Sequence, residues 1–265
     1  MSDIRTVLLY FLTALLLSPG PFARAADDSK IPAAGASRVN PKDGAEMVYV
    51  PAGDFLMGDT DQKDNPRRTV TLDAFWIYKN DVTVEQYRKF CKETGRAMPL
   101  EPDWGWLSIH PVVNVTWDDA RAYCAWAGAA LPTEAQWEKA ARGTDGRLYP
   151  WGNQWDVDKA WCSQKMIRTG TAPVGSCPAG ASPYGCLDML GNVMQWCADW
   201  YDVSYPKNAP ATNPTGPDTG DHRVLRGGTW SGSFEAGCRT ADRHFIVPTH
   251  SYNFIGFRAA RADFN

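Results

Sequence analysis

Leu131-Pro-Thr-Glu-Ala-Gln-Trp-Glu138 is the stretch from which the fold can be read. Thr133 is a hydroxyl residue followed three positions later by Gln136. This is the capping-box form, in which the threonine oxygen accepts one free helical N–H and the glutamine reaches back to another. Trp137, Ala140 and Ala141 continue an apolar face up to Gly143, a residue suited to ending a helix. The same device stands at Thr83, with Gln86 three on and Tyr87 and Phe90 before Gly95. It stands again at Thr116, with Asp119 three on and Ala120, Tyr123, Cys124 and Trp126 before Gly128. Three short, well-capped helices are expected in the first half of the chain.

Outward from these helices the pattern changes period. Residues 47–57 alternate apolar positions around Pro51, Ala52 and Gly53, which predicts two short strands joined by a turn, and residues 69–78 give a longer strand-like run. Beyond Trp151 glycine and proline punctuate the sequence, predicting loops with short strands, the last at 223–228 and 255–260. Twelve tryptophans, ten tyrosines and ten phenylalanines stand beside 23 glycines and 19 prolines. Such a mixture predicts an α+β domain, loop-rich, whose irregular backbone is held by large aromatic side chains. No repeat at a fixed period is present.

The N-terminus has the layout of a secretory leader: Arg5, an apolar run over 7–17, the breakers Ser18, Pro19 and Gly20, and the small-x-small site Ala23-Arg24-Ala25. The run is well short of the roughly 20 residues that cross a bilayer as a helix. Residues 1–25 are therefore expected to be a signal peptide, against the alternative of an uncleaved anchor, and the mature protein to be secreted or periplasmic, off the membrane. Residues 26–44, rich in Ala, Ser, Pro and Asn, are expected to be a flexible lead-in, and 45–263 one folded domain. Removing Asp3, Arg5 and Arg24 moves the formal charge from −3 to −4, and nothing basic enough for nucleic acid remains. Seven cysteines follow the leader: Cys91, Cys124, Cys162, Cys177, Cys186, Cys197 and Cys238. In an oxidising compartment most should pair, with at least one left over. No Cys-x-x-Cys is present, which argues against a thioredoxin-type dithiol or a zinc ribbon.

Eight strings, in order, resemble the formylglycine-generating-enzyme, or sulfatase-modifying-factor, family. They are Met47-Val-Tyr-Val-Pro-Ala-Gly53, Pro111-Val-Val-Asn-Val-Thr-Trp117, Ala122-Tyr-Cys-Ala-Trp-Ala-Gly128, Leu131-Pro-Thr-Glu-Ala-Gln-Trp-Glu138, Tyr149-Pro-Trp-Gly-Asn153, Gly191-Asn-Val-Met-Gln-Trp196, Val224-Leu-Arg-Gly-Gly-Thr-Trp230 and Gly256-Phe-Arg258. The resemblance implies a distorted C-type-lectin-like fold with bound calcium and a surface groove. Physically, Trp117, Trp126, Trp137, Trp151 and Trp196 are best taken as core aromatics with satisfied indole N–H groups. Arg226-Gly227-Gly228 marks a backbone turn beside the groove, where glycine permits close approach and positive φ.

Two departures bear on chemistry. Family members that make formylglycine resemble one another in two cysteines shortly after the Arg-Gly-Gly string, which hold copper, a soft-thiolate site. Here the segment Thr229-Trp-Ser-Gly-Ser-Phe-Glu-Ala-Gly-Cys-Arg239 holds only Cys238, and Gly232 and Glu235 stand where thiols would be wanted. A two-thiolate copper centre needs a partner from elsewhere, with Cys186 or Cys197 as candidates, and Cys238 fits a disulfide half better than a lone nucleophile. The second departure is Met194-Gln195, where the family has Trp-Glu. The resemblance implies calcium held there by Asp188, the carbonyls of Gly191 and Val193, and the Gln195 amide, one carboxylate short of the usual cage. The alternative is the same turn without an ion.

His222, His244 and His250 with Glu235 or Asp242 are the ligand types of a non-haem iron site, although histidines on loops are more often hydrogen-bonded than metal-bound. Groove candidates are Asn192, Thr229, Trp230, Ser231, Glu235, Arg239 and Arg243, the arginines offering a fork for a planar anion. Their catalytic roles stay unassigned. One expectation is an exported oxidase or maturation factor acting on a peptide-derived or aromatic substrate, similar to the cysteine-pair-lacking branch that includes a periplasmic pyoverdine maturation protein. The other is a non-catalytic module of the same fold that binds a peptide or protein partner. Formylglycine generation itself is the third and weakest.

Overall fold

All three capping boxes are formed in a computed structural model that describes residues 31–163, 167–232 and 238–262. Helix α1 (Val84–Thr94) is capped by Thr83, α2 (Trp117–Trp126) by Thr116 and α3 (Glu134–Arg142) by Thr133. In each, the threonine oxygen accepts the third helical N–H and the residue there accepts the threonine N–H in return. α1 stops at Gly95, which turns left-handed at φ 72°. A single turn, α4 (Tyr205–Asn208), lies in the second half.

The strands are β1 (Ser37–Val39), β2 (Glu46–Val50), β3 (Gly53–Met57), β4 (Arg68–Leu72), β5 (Phe75–Tyr78), β6 (Met194–Trp200), β7 (Arg223–Arg226), β8 (His244–Ile246), β9 (Ile255–Gly256) and β10 (Ala260–Ala262). They form an antiparallel sheet in the order β1-β2-β5-β10, a β3-β4 pair, and a mixed sheet β8-β7-β6-β9 in which only β6 and β9 run parallel.

β2 and β5 bury both faces. Alternation sends Met47, Tyr49, Trp76 and Tyr78 into one core with Tyr87 and Phe90 of α1 and Tyr123 of α2. It sends Val48, Val50, Phe75 and Ile77 into a second core with Trp137, Ala140 and Ala141 of α3. A strand covered on both sides is apolar throughout, which is why residues 47–50 and 75–78 lack polar positions. The five tryptophans expected in the scaffold all have their indole N–H satisfied, at 2.7–3.1 Å. Trp137 and Trp196 are fully buried, whereas Trp117, Trp126 and Trp151 are half-buried.

Several expectations are corrected. The two strands within 47–57 are not partners: β2 joins the first sheet and β3 pairs with β4. The run over 69–78 breaks at Asp73-Ala74, which lets β4 and β5 enter different sheets. The folded part begins before Ala45, because β1 pairs with β2 and the buried Asn40 amide donates to Tyr78 Oη (2.7 Å) and the Ala127 carbonyl (3.0 Å). None of the seven cysteines is bonded to another in this structure. Cys91 and Cys124 fill the first core, and Cys186, Cys197 and Cys238 the second, as small apolar groups. The leader expected over 1–25 lies outside the described residues. Among the described residues no helix is long and apolar enough to cross a membrane.

Candidate functional site

The Arg-Gly-Gly turn at the end of β7 is fixed from beneath by charge. Arg226, fully buried, donates to Glu138 Oε2 (2.5 Å) and to the carbonyls of Thr240 (2.7 Å), Ala241 (3.1 Å) and Asp242 (2.7 Å), tying α3 to the segment after Cys238. The other Glu138 oxygen accepts Arg142 (2.7 Å) and the Gly58 N–H (2.7 Å), and Glu134 takes Arg243 in a two-point fork at 2.7 and 2.9 Å. A carboxylate fully engaged in this way holds position without leaving a charge unpaired. Gly227 sits at φ 81°, and a Cβ there would lie 2.9 Å from the Met189 carbonyl oxygen. The turn can therefore press onto residues 189–192, where Trp230 N–H donates to the Asn192 carbonyl at 2.8 Å.

Above the turn, Thr229 Oγ1 accepts the Ser231 N–H (3.0 Å), and Ser163 bridges to the Trp230 carbonyl (2.8 Å) and the Gly232 carbonyl (3.0 Å). Trp230 is half-buried, donates its indole N–H to the Asn253 carbonyl (3.1 Å), and meets Trp104 edge-on, 5.3 Å between ring centres at 83°. Trp104 packs over Gly170, whose carbonyl accepts the Trp161 indole N–H (3.1 Å), and the Arg168 guanidinium lies 3.6 Å over the Trp161 ring. Trp104 and Trp230 thus pack directly, and Trp161 is joined to them through Gly170. Beside this pair, residues 100–103, Asn114 and residues 251–253 line a hollow of about 280 Å³. At its rim Leu100 is 81% exposed and Tyr252 is 41% exposed, Tyr252 stacking on Phe254 at 5.2 Å. Exposed apolar groups around a concavity with hydroxyl and amide neighbours are the usual make-up of a binding site.

Of the groove candidates, Trp230 stands beside this hollow through its contacts with Trp104 and Asn253, and Ser231 is the exposed residue that follows it. Asn192 is not at the surface, being 1% exposed with its amide paired to both backbone groups of Ala172 (3.0 and 3.2 Å). Thr229 is buried as a turn cap. Arg243 is buried on Glu134, and Arg239 is held by Asp61 (2.9 and 3.0 Å) and Asp242 (3.3 Å), so neither fork is open to an anion. Glu235 lies outside the described residues. Sequence reasoning missed Trp104, Trp161 and Arg168, which fall outside the family strings; Trp104 between Asp103 and Gly105 was the available signal.

At the turn expected to hold calcium, the Gln195 amide is engaged within the protein. Gln195 Oε1 accepts Trp137 Nε1 and Arg258 Nε, both at 2.7 Å, which uses its two lone pairs, and its Nε2 donates to the Asp188 carbonyl (2.8 Å). Arg258, fully buried, also donates to the carbonyls of Tyr78, Lys79 and Leu187 and to Asp81 Oδ1, at 2.8–3.2 Å. One guanidinium thus gathers five oxygens around a fixed positive charge. Asp188 accepts the Gly175 N–H (2.7 Å), and burial raises its carboxyl above the ordinary range. Gln195 cannot be a ligand in this arrangement.

The histidines proposed for iron stand in separate surroundings. His222 meets Phe245, His250 meets Tyr252, and His244 is half-buried in β8, where desolvation lowers its pKa. Among the described residues no three His, Cys, Asp or Glu side chains converge as a metal centre. Burial raises the Cys186, Cys197 and Cys238 thiols, so none is disposed to be a thiolate nucleophile.

Residues 33–263 match the family described as "Sulfatase-modifying factor enzyme 1-like domain". The chain is 34% identical over 285 residues to a formylglycine-generating enzyme of Thermomonospora curvata, covering 81% of this chain and 92% of that one. It is 35% identical over 244 residues to serine/threonine-protein kinase Pkn1 of Chlamydia trachomatis, covering 82% of this chain but only 38% of Pkn1. In structure it is similar to PvdO from Pseudomonas aeruginosa, with a TM-score of 0.78 and 27% identity over 88% of this chain and 100% of that one. The ordered strings, the capped helices and the buried arginines of β7 and the Gly256-Phe-Arg258 string thus have one source: this chain belongs to the sulfatase-modifying factor enzyme 1-like family, with a distorted C-type-lectin-like fold.

Proposed function

We propose that this protein is exported and holds a peptide-derived ligand bearing an aromatic side chain in the hollow beside Trp104 and Trp230, as a binding or maturation factor rather than a formylglycine generator. The observation that carries the reading is the half-buried Trp104–Trp230 pair at a concavity rimmed by Leu100 and Tyr252. Indole edges favour a further aromatic ring in edge or offset contact, worth about 0.5–1.5 kcal/mol beyond area burial. Ser251, Asn114 and Asn253 supply neutral polar groups suited to peptide amides, beside the carboxylates of Glu101 and Asp103. No described residue at the hollow offers a thiolate, so the chemistry of a two-cysteine copper site has no seat there.

The test is titration of the purified protein with tyrosine-containing tetrapeptides and their alanine counterparts, followed by tryptophan fluorescence. Saturable binding of the tyrosine series, weakened about tenfold by Trp230→Ala, is expected. Equal response to both series, or unchanged affinity in Trp230→Ala, refutes the assignment. Export is checked separately: deleting residues 2–25 should leave the protein in the cytoplasm.

A further inference from the structure

Trp104 lies on a stretch of backbone, residues 170–172, that is held from behind. Asn192, 1% exposed, donates its side-chain amide to the Ala172 carbonyl (3.2 Å) and accepts the Ala172 N–H (3.0 Å). The backbone N–H of Asn192 donates to the Trp161 carbonyl (2.8 Å), and its carbonyl accepts the Trp230 N–H (2.8 Å). Gly170 is fixed in turn, its carbonyl accepting the Trp161 indole N–H (3.1 Å). Between them Thr171 Oγ1 meets His110 Nδ1 at 3.0 Å. Each residue from Gly170 to Ala172 is therefore bonded to a different part of the fold, and the stretch has little freedom to shift.

On this fixed backbone Trp104 approaches closer than any side chain would allow. A Cβ at Gly170 would stand 2.7 Å from Trp104 Cδ2, 2.9 Å from Cε3 and 3.1 Å from Cγ. Carbon atoms in contact settle at about 3.5–4.0 Å, so a single methyl group at this position requires a displacement of about 1 Å. The three atoms belong to the inner part of a rigid indole, not to a flexible tip. With residues 170–172 bonded on every side, the ring is the part that gives way.

The backbone conformation does not call for glycine here, because Gly170 lies outside the left-handed region. What calls for it is the closeness of the ring. The same ring meets Trp230 edge-on, 5.3 Å between centres at 83°. An edge contact depends on both separation and angle, so a shift of Trp104 off its bed alters the pair whichever way the ring moves. Trp230 cannot follow, since its N–H is held by the Asn192 carbonyl and its indole N–H by the Asn253 carbonyl (3.1 Å).

We propose that Gly170 is the positioning residue of this site: its missing side chain lets Trp104 lie on the 170–172 backbone and meet Trp230 edge-on, and that geometry sets the affinity for an aromatic ligand. The role presupposes the assignment of the hollow beside the pair as the binding site. Gly170 acts through Trp104 and makes no ligand contact of its own.

The experiment compares the parent protein with Gly170→Ala, Trp104→Ala and the double variant by urea unfolding, circular dichroism and titration with the tyrosine-containing tetrapeptides. In Gly170→Ala, the part of the indole dichroic couplet that Trp104→Ala removes should be lost, and tyrosine-peptide affinity should fall about tenfold. In the Trp104→Ala background the same substitution should change neither the affinity nor the unfolding midpoint, because an effect carried by one partner disappears when that partner is gone. If Gly170→Ala alone fails to fold, the double variant should fold, since removal of the indole makes the room. Parental couplet and affinity in Gly170→Ala, affinity kept while the couplet is lost, or equal losses in both backgrounds overturns the proposal. Absence of peptide binding by the parent protein would instead sink the site assignment, and the couplet and midpoints would still show whether Gly170 sets the indole pair.

Discussion

Replacing Arg258 with lysine keeps the charge but removes the planar fork. The guanidinium now serves five oxygens: Gln195 Oε1, Asp81 Oδ1 and the carbonyls of Tyr78, Lys79 and Leu187. An ammonium has three protons, so at least two of the five acceptors lose their donor in a fully buried site. At about 1–3 kcal/mol for each orphan, Arg258→Lys should destabilise the fold by about 2–6 kcal/mol, a large share of the 5–15 kcal/mol that holds a typical domain. Urea unfolding followed by tryptophan fluorescence measures this directly. With an m-value of about 3 kcal/mol/M the midpoint should fall by about 1–2 M, m itself staying constant. Arg258→Met, which also leaves Asp81 without its cation, should be worse still. If Arg258→Lys lies within about 1 kcal/mol of the parent, Arg258 is not the centre that organises β5, the 187–195 turn and the Gly256-Phe-Arg258 string.

Three other outcomes follow from the same geometry. Gly227→Ala forces a side chain into φ 81° and places a Cβ about 2.9 Å from the Met189 oxygen, so denaturation should show a loss of about 2 kcal/mol or more. Asp199, beside Glu134 and accepting its N–H at 2.7 Å, is pushed up to about 7 by burial and by the neighbouring carboxylate. Holding its proton in the fold to about pH 7 but losing it near pH 4 when unfolded, it makes stability fall as pH rises between those values. Asp199→Asn should reduce that fall in urea titrations at pH 5 and pH 8, and an unaltered pH dependence would contradict the assignment. Millimolar calcium should leave the urea midpoint unshifted, since the Gln195 oxygen is taken by Trp137 and Arg258; a rise that saturates with calcium would show a bound ion.

What could be read in the sequence was what depends on neighbours along the chain. The capping boxes at Thr83, Thr116 and Thr133 are local hydrogen-bond devices, and all three formed. The alternation in 47–57 announced strands but not partners, because pairing depends on residues far away in sequence. β6 is not legible because Gly191-Asn-Val-Met-Gln-Trp196 reads as one turn; only its first residues turn, and Met194–Trp200 runs on as an inner strand. Glu134, Glu138, Lys139 and Arg142 are charged residues of the kind that normally face solvent, yet all four are buried. α3 is enclosed on its polar side too, where Arg226, Arg243 and the carbonyls of Pro51 and Gly53 answer its charges. The site followed the same division. Trp230 and Ser231 were found from a family string, whereas Trp104, Trp161 and Arg168 come from unrelated segments and are neighbours only in three dimensions.

The most direct test of the central claim, that the groove binds a ligand without a two-thiolate copper centre, is a Cu(I) titration of the reduced native protein against a chromogenic competitor. With Cys238 buried in the second core and its thiol raised by desolvation, no stoichiometric uptake is expected. Uptake of one equivalent of Cu(I), abolished by Cys238→Ser, would contradict the account and return the protein to the oxygen-activating members of its family.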